Sequence, residues 1–175
     1  MLHAPPTAIS RSLVNWLSHR DRPFSHMDGT MRPILPHLLY SGHTEDGADY
    51  DLLAQAGIEA LVQVTADDGP LQPPEAVAYC RFPLRDGTGD NEKLLYLAIV
   101  TVANLVERHI PTLVCSTAGL SRASAVIAAA LSMVFQESPD SCLNEVTQNR
   151  PGHVNPALWQ VVKGVLDGER IPAPA

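Results

Sequence analysis

Basic residues are scarce in this 175-residue chain: 12 lysines and arginines stand against 19 aspartates and glutamates, a formal net charge of -7. Such a chain lacks the positive field that supplies most non-specific attraction to nucleic acid and to anionic lipid, so neither is expected as a partner. Cysteine is sparse too. Cys80, Cys115 and Cys142 are odd in number and far apart, which suits neither a disulfide framework nor a zinc cluster and points to a reducing, cytoplasmic setting. The histidines show no ligand spacing, so no metal and no cofactor is expected. The most apolar stretches, Leu94 to Val106 and Ala123 to Phe135, are too short to span a bilayer and carry polar interruptions. No basic stretch near Met1 leads into an apolar run, and a signal peptide is not expected. Internal repeats and low-complexity tracts are absent.

What is present suits one core. A hydrophobic content of 45% is enough to fill a single domain without staples, and a monomer is the expectation. Residues 1–32, with Pro5, Pro6 and Pro23 around one amphipathic stretch from Ser12 to His19, read as a loosely packed extension. The main domain is expected over residues 33–170, with a tail at 171–175. Strands are predicted at Leu38 to Tyr40, Ile58 to Val64, Ala78 to Leu84 and Thr112 to Cys115. Helices are predicted at Ala48 to Ala56, stopped by Gly57, and at Asn91 to His109, Ser121 to Phe135, Pro139 to Asn149 and Pro156 to Leu166. Strands interleaved with helices predict an α/β fold with a central, mainly parallel sheet of four to five strands.

One junction carries chemistry. Val114-Cys115-Ser116-Thr117-Ala118-Gly119-Leu120-Ser121-Arg122 runs from a buried strand through a glycine turn into a helix N-terminus. Backbone N–H groups converge at such a turn, and the helix dipole favours negative charge there. Thr117, Ala118 and Ser121 are small enough to leave the concavity open, Gly119 permits the turn, and Arg122 offers a planar fork for two phosphate oxygens. The segment from Ser116 through Leu120 to Arg122 is therefore a candidate phosphate-binding loop.

The same string resembles the signature of dual-specificity protein phosphatases, members of the cysteine-dependent tyrosine phosphatase superfamily. There a cysteine three residues before the glycine and six before the arginine is the nucleophile. The resemblance extends through Pro33 to Thr65 on one side and through Arg150-Pro151, Asn155-Pro156 and Leu158-Trp159 on the other. It implies a metal-free reaction in which a thiolate attacks phosphorus and water hydrolyses the phosphocysteine. Ser116 then occupies the nucleophile position, and Asp86, in the short loop between Leu84 and Asn91, is the candidate general acid. Asp90 is assigned to capping the helix that follows; Asp67 and Asp68 end a neighbouring strand, on the same carboxyl edge as the loop in an open parallel sheet, and are assigned to a solvated turn. Arg150 to Trp159 is assigned to packing the last helices together.

Three positions depart from the family pattern: Ser116 for cysteine, Cys115 for histidine, and Ala123 for the hydroxyl residue after the arginine. A serine hydroxyl is too weak an acid to ionise at neutral pH, so the chain is expected to be inactive or nearly so. Cys115 cannot substitute, because neighbouring strand residues point to opposite faces; it is expected to be a buried thiol. The loop variables carry no charge, which the resemblance associates with phosphotyrosine and phosphoserine or phosphothreonine in a protein rather than a polyphosphate. Two readings stay open: a dual-specificity phosphatase whose nucleophile has been exchanged for serine, and a natural pseudophosphatase that binds phosphorylated proteins. A purely structural domain is a third.

Overall fold

The computed structural model describes residues 31–117, 121–148 and 154–169. Its centre is a five-stranded sheet in which β1 (Arg32–Leu35), β2 (Leu39–His43), β3 (Ala60–Gln63), β4 (Ala78–Arg81) and β5 (Thr112–Ser116) lie in the order β1-β2-β5-β3-β4. Only β1 runs antiparallel, to β2; β2 and β3 flank β5 in parallel register, and β4 pairs in parallel with β3. The expected mainly parallel α/β architecture is what the chain adopts.

Parallel sheets need cover on both faces. The alternation along each strand supplies it. Val62 and Val114 point into one apolar cluster, while Leu61, Leu113 and Cys115 point into the other. Four long helices cover the first face: α3 (Glu92–Glu107), α4 (Arg122–Phe135), α5 (Pro139–Thr147) and α6 (Pro156–Glu169). The helix α4 is buried almost all round, and its many alanines let it lie close to the sheet while α3, α5 and α6 close over it. The second face carries the short helices α1 (Thr44–Ala48) and α2 (Tyr50–Gln55), and Leu53 of α2 packs with Tyr40, Leu61 and Leu113 of the sheet.

Two elements differ from the sequence expectation. The single helix predicted from Ala48 to Ala56 is split, because Asp49 is extended (φ -87°, ψ 92°) and turns its carboxylate to accept from the Leu52 N–H at 3.0 Å. An earlier capping pair, His43 N–H donating to Asp46 Oδ2 at 2.6 Å, starts α1 before the split. Gly57 does end α2, with φ +66°. The strand β1 was not anticipated. Pro33 lies in it, and an edge strand tolerates a residue without an N–H donor. Met31 is buried in the second apolar cluster and Arg32 opens β1, so both take part in the fold. The predicted Ser12 to His19 helix lies outside the described residues.

Candidate phosphate-binding site

The strand order sets the site. With β5 central and its neighbours parallel, the carboxyl ends of β3 and β5 emerge side by side, as the Val64 N–H bond to Cys115 O (2.8 Å) records. Ser116 ends β5 and Arg122 opens α4, so the candidate loop leaves the sheet beside the turn that follows β3. Ala118, Gly119 and Leu120 lie outside the described residues.

Ser116 is fully buried, and its Oγ accepts from the Ala123 N–H at 3.4 Å, within the first turn of α4. Arg122 is buried as well. Its Nη1 donates to Asp67 Oδ2 at 2.6 Å and to Leu84 O at 3.1 Å. Asp67 is not a merely solvated turn residue, as the sequence suggested, although its side chain keeps 60% exposure. Its partner explains the difference: a buried guanidinium needs an acceptor, and the β3 turn brings the nearest carboxylate.

Asp68 is also drawn in. Its Oδ2 accepts from Thr44 Oγ1 at 2.5 Å and from Thr117 Oγ1 at 2.7 Å, and Arg81 Nη2 donates to its backbone carbonyl at 2.8 Å. These hydroxyl bonds, led by Thr44, hold the Asp68 carboxyl below the ordinary carboxylate value. Thr65 and Thr117 share a further bond at 2.7 Å, so the first loop residue is tied to the β3 turn through two side chains. Gln63, buried at the end of β3, shapes that turn by donating to Gly69 O at 2.9 Å while Tyr79 donates to its Oε1.

On the other side stands Asp86. Ser121 Oγ donates to Asp86 Oδ1 at 2.6 Å and accepts from the Asn155 N–H at 2.9 Å; Asn155 Nδ2 donates to Asp86 O at 2.9 Å. Two sequence assignments change here. Asp90 does not cap α3: its carboxylate accepts from the Arg85 N–H at 2.8 and 3.0 Å, and Asn91 caps the helix by accepting from Lys93 N–H. Both carboxylate oxygens are drawn back into the turn, which leaves the cap to the next residue. The 150–159 segment does more than pack helices, since Asn155 reaches the loop, while Trp159 does bind α5 through Nε1 to Asp140 Oδ1 at 2.7 Å. Residues 149–153 lie outside the described residues.

Cys115 is buried, with its neighbours in the second apolar cluster. Burial, with smaller contributions from Asp46, Asp68 and Glu45, pushes its thiol up to about 12. It remains a neutral thiol at physiological pH. Among the described residues no three His, Cys, Asp or Glu side chains are grouped to hold a metal ion, and no helix is long and apolar enough to cross a membrane.

No protein-family profile matches the chain, nor does any curated protein sequence. Solved structures do. Human DUSP28 superimposes with a TM-score of 0.70 at 25% identity, over 83% of this chain and 99% of its own. The fold is that of the dual-specificity phosphatases. A mouse dual specificity phosphatase complexed with zinc tungstate aligns with a TM-score of 0.69 at 23% identity, over 85% of this chain and 93% of its own. The human tyrosine phosphatase-like serine/threonine/tyrosine-interacting protein aligns with a TM-score of 0.68 at 16% identity, over 79% and 97%. Within this dual-specificity phosphatase fold, the sequence signals for Ser116, Arg122 and Asp86 fall at one edge of the sheet. Asn155 is not among the site residues expected from the sequence, and Asp67 and Asp68, expected at the same sheet edge, are expected there only as a solvated turn. The two aspartates follow a strand parallel to β5, which puts them at the loop's edge as the sequence suggests; their bonds to Arg122 and Thr117 are what the fold adds.

Proposed function

We propose that the chain is a protein phosphatase of the dual-specificity type, whose site receives a phosphorylated tyrosine, serine or threonine side chain. With serine at position 116 it holds the phosphoester and does not cleave it. The observation that carries this reading is the convergence of buried Arg122, the Ser116 hydroxyl under the first turn of α4, and Asp86 beside Ser121. Both guanidinium bonds to described residues use Nη1, and the fork for two phosphate oxygens is assigned to the edge formed by Nε and Nη2. The fourteen-residue α4 adds its dipole.

The resemblance assigns Asp86 to protonating the leaving oxygen, and its contact with Ser121 supports that reading by holding it against the loop. Attack on phosphorus needs a nucleophile ionised at neutral pH. Ser116 is not one, and Cys115, held neutral by burial, is not another. The unpaired thiols support a reducing, cytoplasmic setting.

Two residues favour a second reading, a natural pseudophosphatase that binds phosphoproteins. Cys115 provides no imidazole to orient the loop, and Ala123 provides only a backbone N–H where the family has a hydroxyl. Both readings require phosphate recognition. Calorimetric titration of the full chain with a phosphotyrosine peptide is expected to show binding that tungstate displaces and that Arg122→Met abolishes. No binding, or binding indifferent to Arg122, contradicts the proposal.

A further inference from the structure

The contacts of Asn155 form a clasp among three segments distant in sequence. Its backbone N–H donates to Ser121 Oγ at 2.9 Å, and its Nδ2 donates to Asp86 O at 2.9 Å. Ser121 Oγ closes the triangle by donating to Asp86 Oδ1 at 2.6 Å. The phosphate loop, the 84–90 turn and the start of α6 therefore meet at one hydroxyl. Gly87 fits this arrangement: its φ of +155° suits glycine, and a Cβ there would sit 3.7 Å from Asn155 Nδ2.

We propose that Asn155 is a positioning residue for phosphoester cleavage, holding Asp86 beside the phosphate loop before substrate arrives. The inference rests on the phosphatase reading above. Asp86 is exposed and its turn is short of apolar anchors, with Arg85, Thr88 and Gly89 all exposed. Hydrogen bonds must hold such a turn. Asp90 closes it from within by accepting from the Arg85 N–H, and Asn155 fixes it to the rest of the domain. A general acid contributes only from within hydrogen-bond reach of the leaving oxygen, so a loosened Asp86 loses catalysis without changing how phosphate is gripped by Arg122.

Asn155 has a second task that a test must separate. Its Oδ1 accepts from the Ala157 N–H at 2.9 Å and so caps α6. Asn155→Asp keeps that acceptor and removes the Nδ2 donor, whereas Asn155→Ala removes both. The first measurement uses the full chain with Ser116 in place. Amide hydrogen exchange over residues 85–90 is expected to accelerate at least about fivefold in Asn155→Asp, with α6 protection retained. Unchanged exchange in that turn overturns the clasp.

The second measurement compares leaving groups in a Ser116→Cys background. Asn155→Asp is expected to lower kcat about tenfold for a phosphotyrosine peptide, whose phenolate needs a proton. For nitrophenyl phosphate, whose leaving group needs none, kcat is expected to change less than about twofold, with KM unaltered for both. Full kcat on the peptide in Asn155→Asp, with loss only in Asn155→Ala, reduces the residue to a helix cap and overturns the proposal. Absence of turnover in Ser116→Cys itself overturns the catalytic role together with the phosphatase reading, and leaves the exchange result to decide the clasp alone.

Discussion

The buried guanidinium of Arg122 donates through Nη1 to the carboxylate of Asp67 at 2.6 Å, across the gap between α4 and the turn after β3. The cation proposed to grip phosphate is thus oriented by an anion at the mouth of the candidate site. Because the second Nη1 bond runs to Leu84 O, the guanidinium keeps one anchor that carries no charge.

Exchanging Asp67 for asparagine preserves an acceptor for Nη1 and removes negative charge near the incoming dianion. A unit charge near the surface at a few ångströms is worth about 1 kcal/mol, so inorganic phosphate is expected to bind roughly fivefold tighter to Asp67→Asn at low salt. The gain should shrink as salt is added. Weaker binding in calorimetry would show that the charge of Asp67, and not only its acceptor, holds the guanidinium.

Cys115 supplies a prediction in the opposite pH direction to the carboxylates. Its folded-state value is raised from 9.0 to about 12 by burial, so its contribution to stability is complete below pH 9 and declines as pH climbs towards 12, where the unfolded chain ionises first. At pH 8 only about one in ten thousand of these thiols is ionised, and iodoacetamide is expected to spare it. Half-exposed Cys80 on β4 should be alkylated first. Mass spectrometry of the native protein that finds Cys115 labelled as readily as Cys80 would refute the assignment of a buried thiol.

Asp68 behaves the other way. Its folded value is lowered from 3.8, chiefly by the hydroxyls of Thr44 and Thr117, so its contribution is present above that value and is lost as pH falls through the lowered one. Urea unfolding of the wild type and Asp68→Asn should therefore differ most near neutrality, and the gap should narrow over the window in which pH falls through 3.8 and below it. A gap that stays constant over that window would mean that the Asp68 charge contributes nothing.

The sequence made the architecture legible because burial in a parallel sheet and on long helices leaves strong periodic signals: Thr112 to Cys115 and Asn91 to His109 were found within two residues of their ends. Arg32–Leu35 was not, since an edge strand of four residues with a proline has neither length nor alternation to betray it. The site was half legible. Ser116 and Arg122 lie within one short motif, whereas the contacts that tie Asp67, Asp68 and Asn155 into the site span 24 to 69 positions. Such pairings follow from topology, which no local pattern encodes. Asp86 was located by its place between strand and helix, although its partners, Ser121 and Asn155, emerged only from the fold.

The central claim is that this site cleaves a phosphoester once a sulfur stands at position 116, despite Cys115 and Ala123. Hydrolysis of an aryl phosphate and of a phosphotyrosine peptide by Ser116→Cys tests it most directly. Metal-independent turnover is expected, falling about a hundredfold on the peptide when Asp86→Asn is added, the usual scale for loss of a general acid. A Ser116→Cys protein that binds the phosphopeptide through Arg122 yet never hydrolyses it would contradict the claim and identify a domain built for binding.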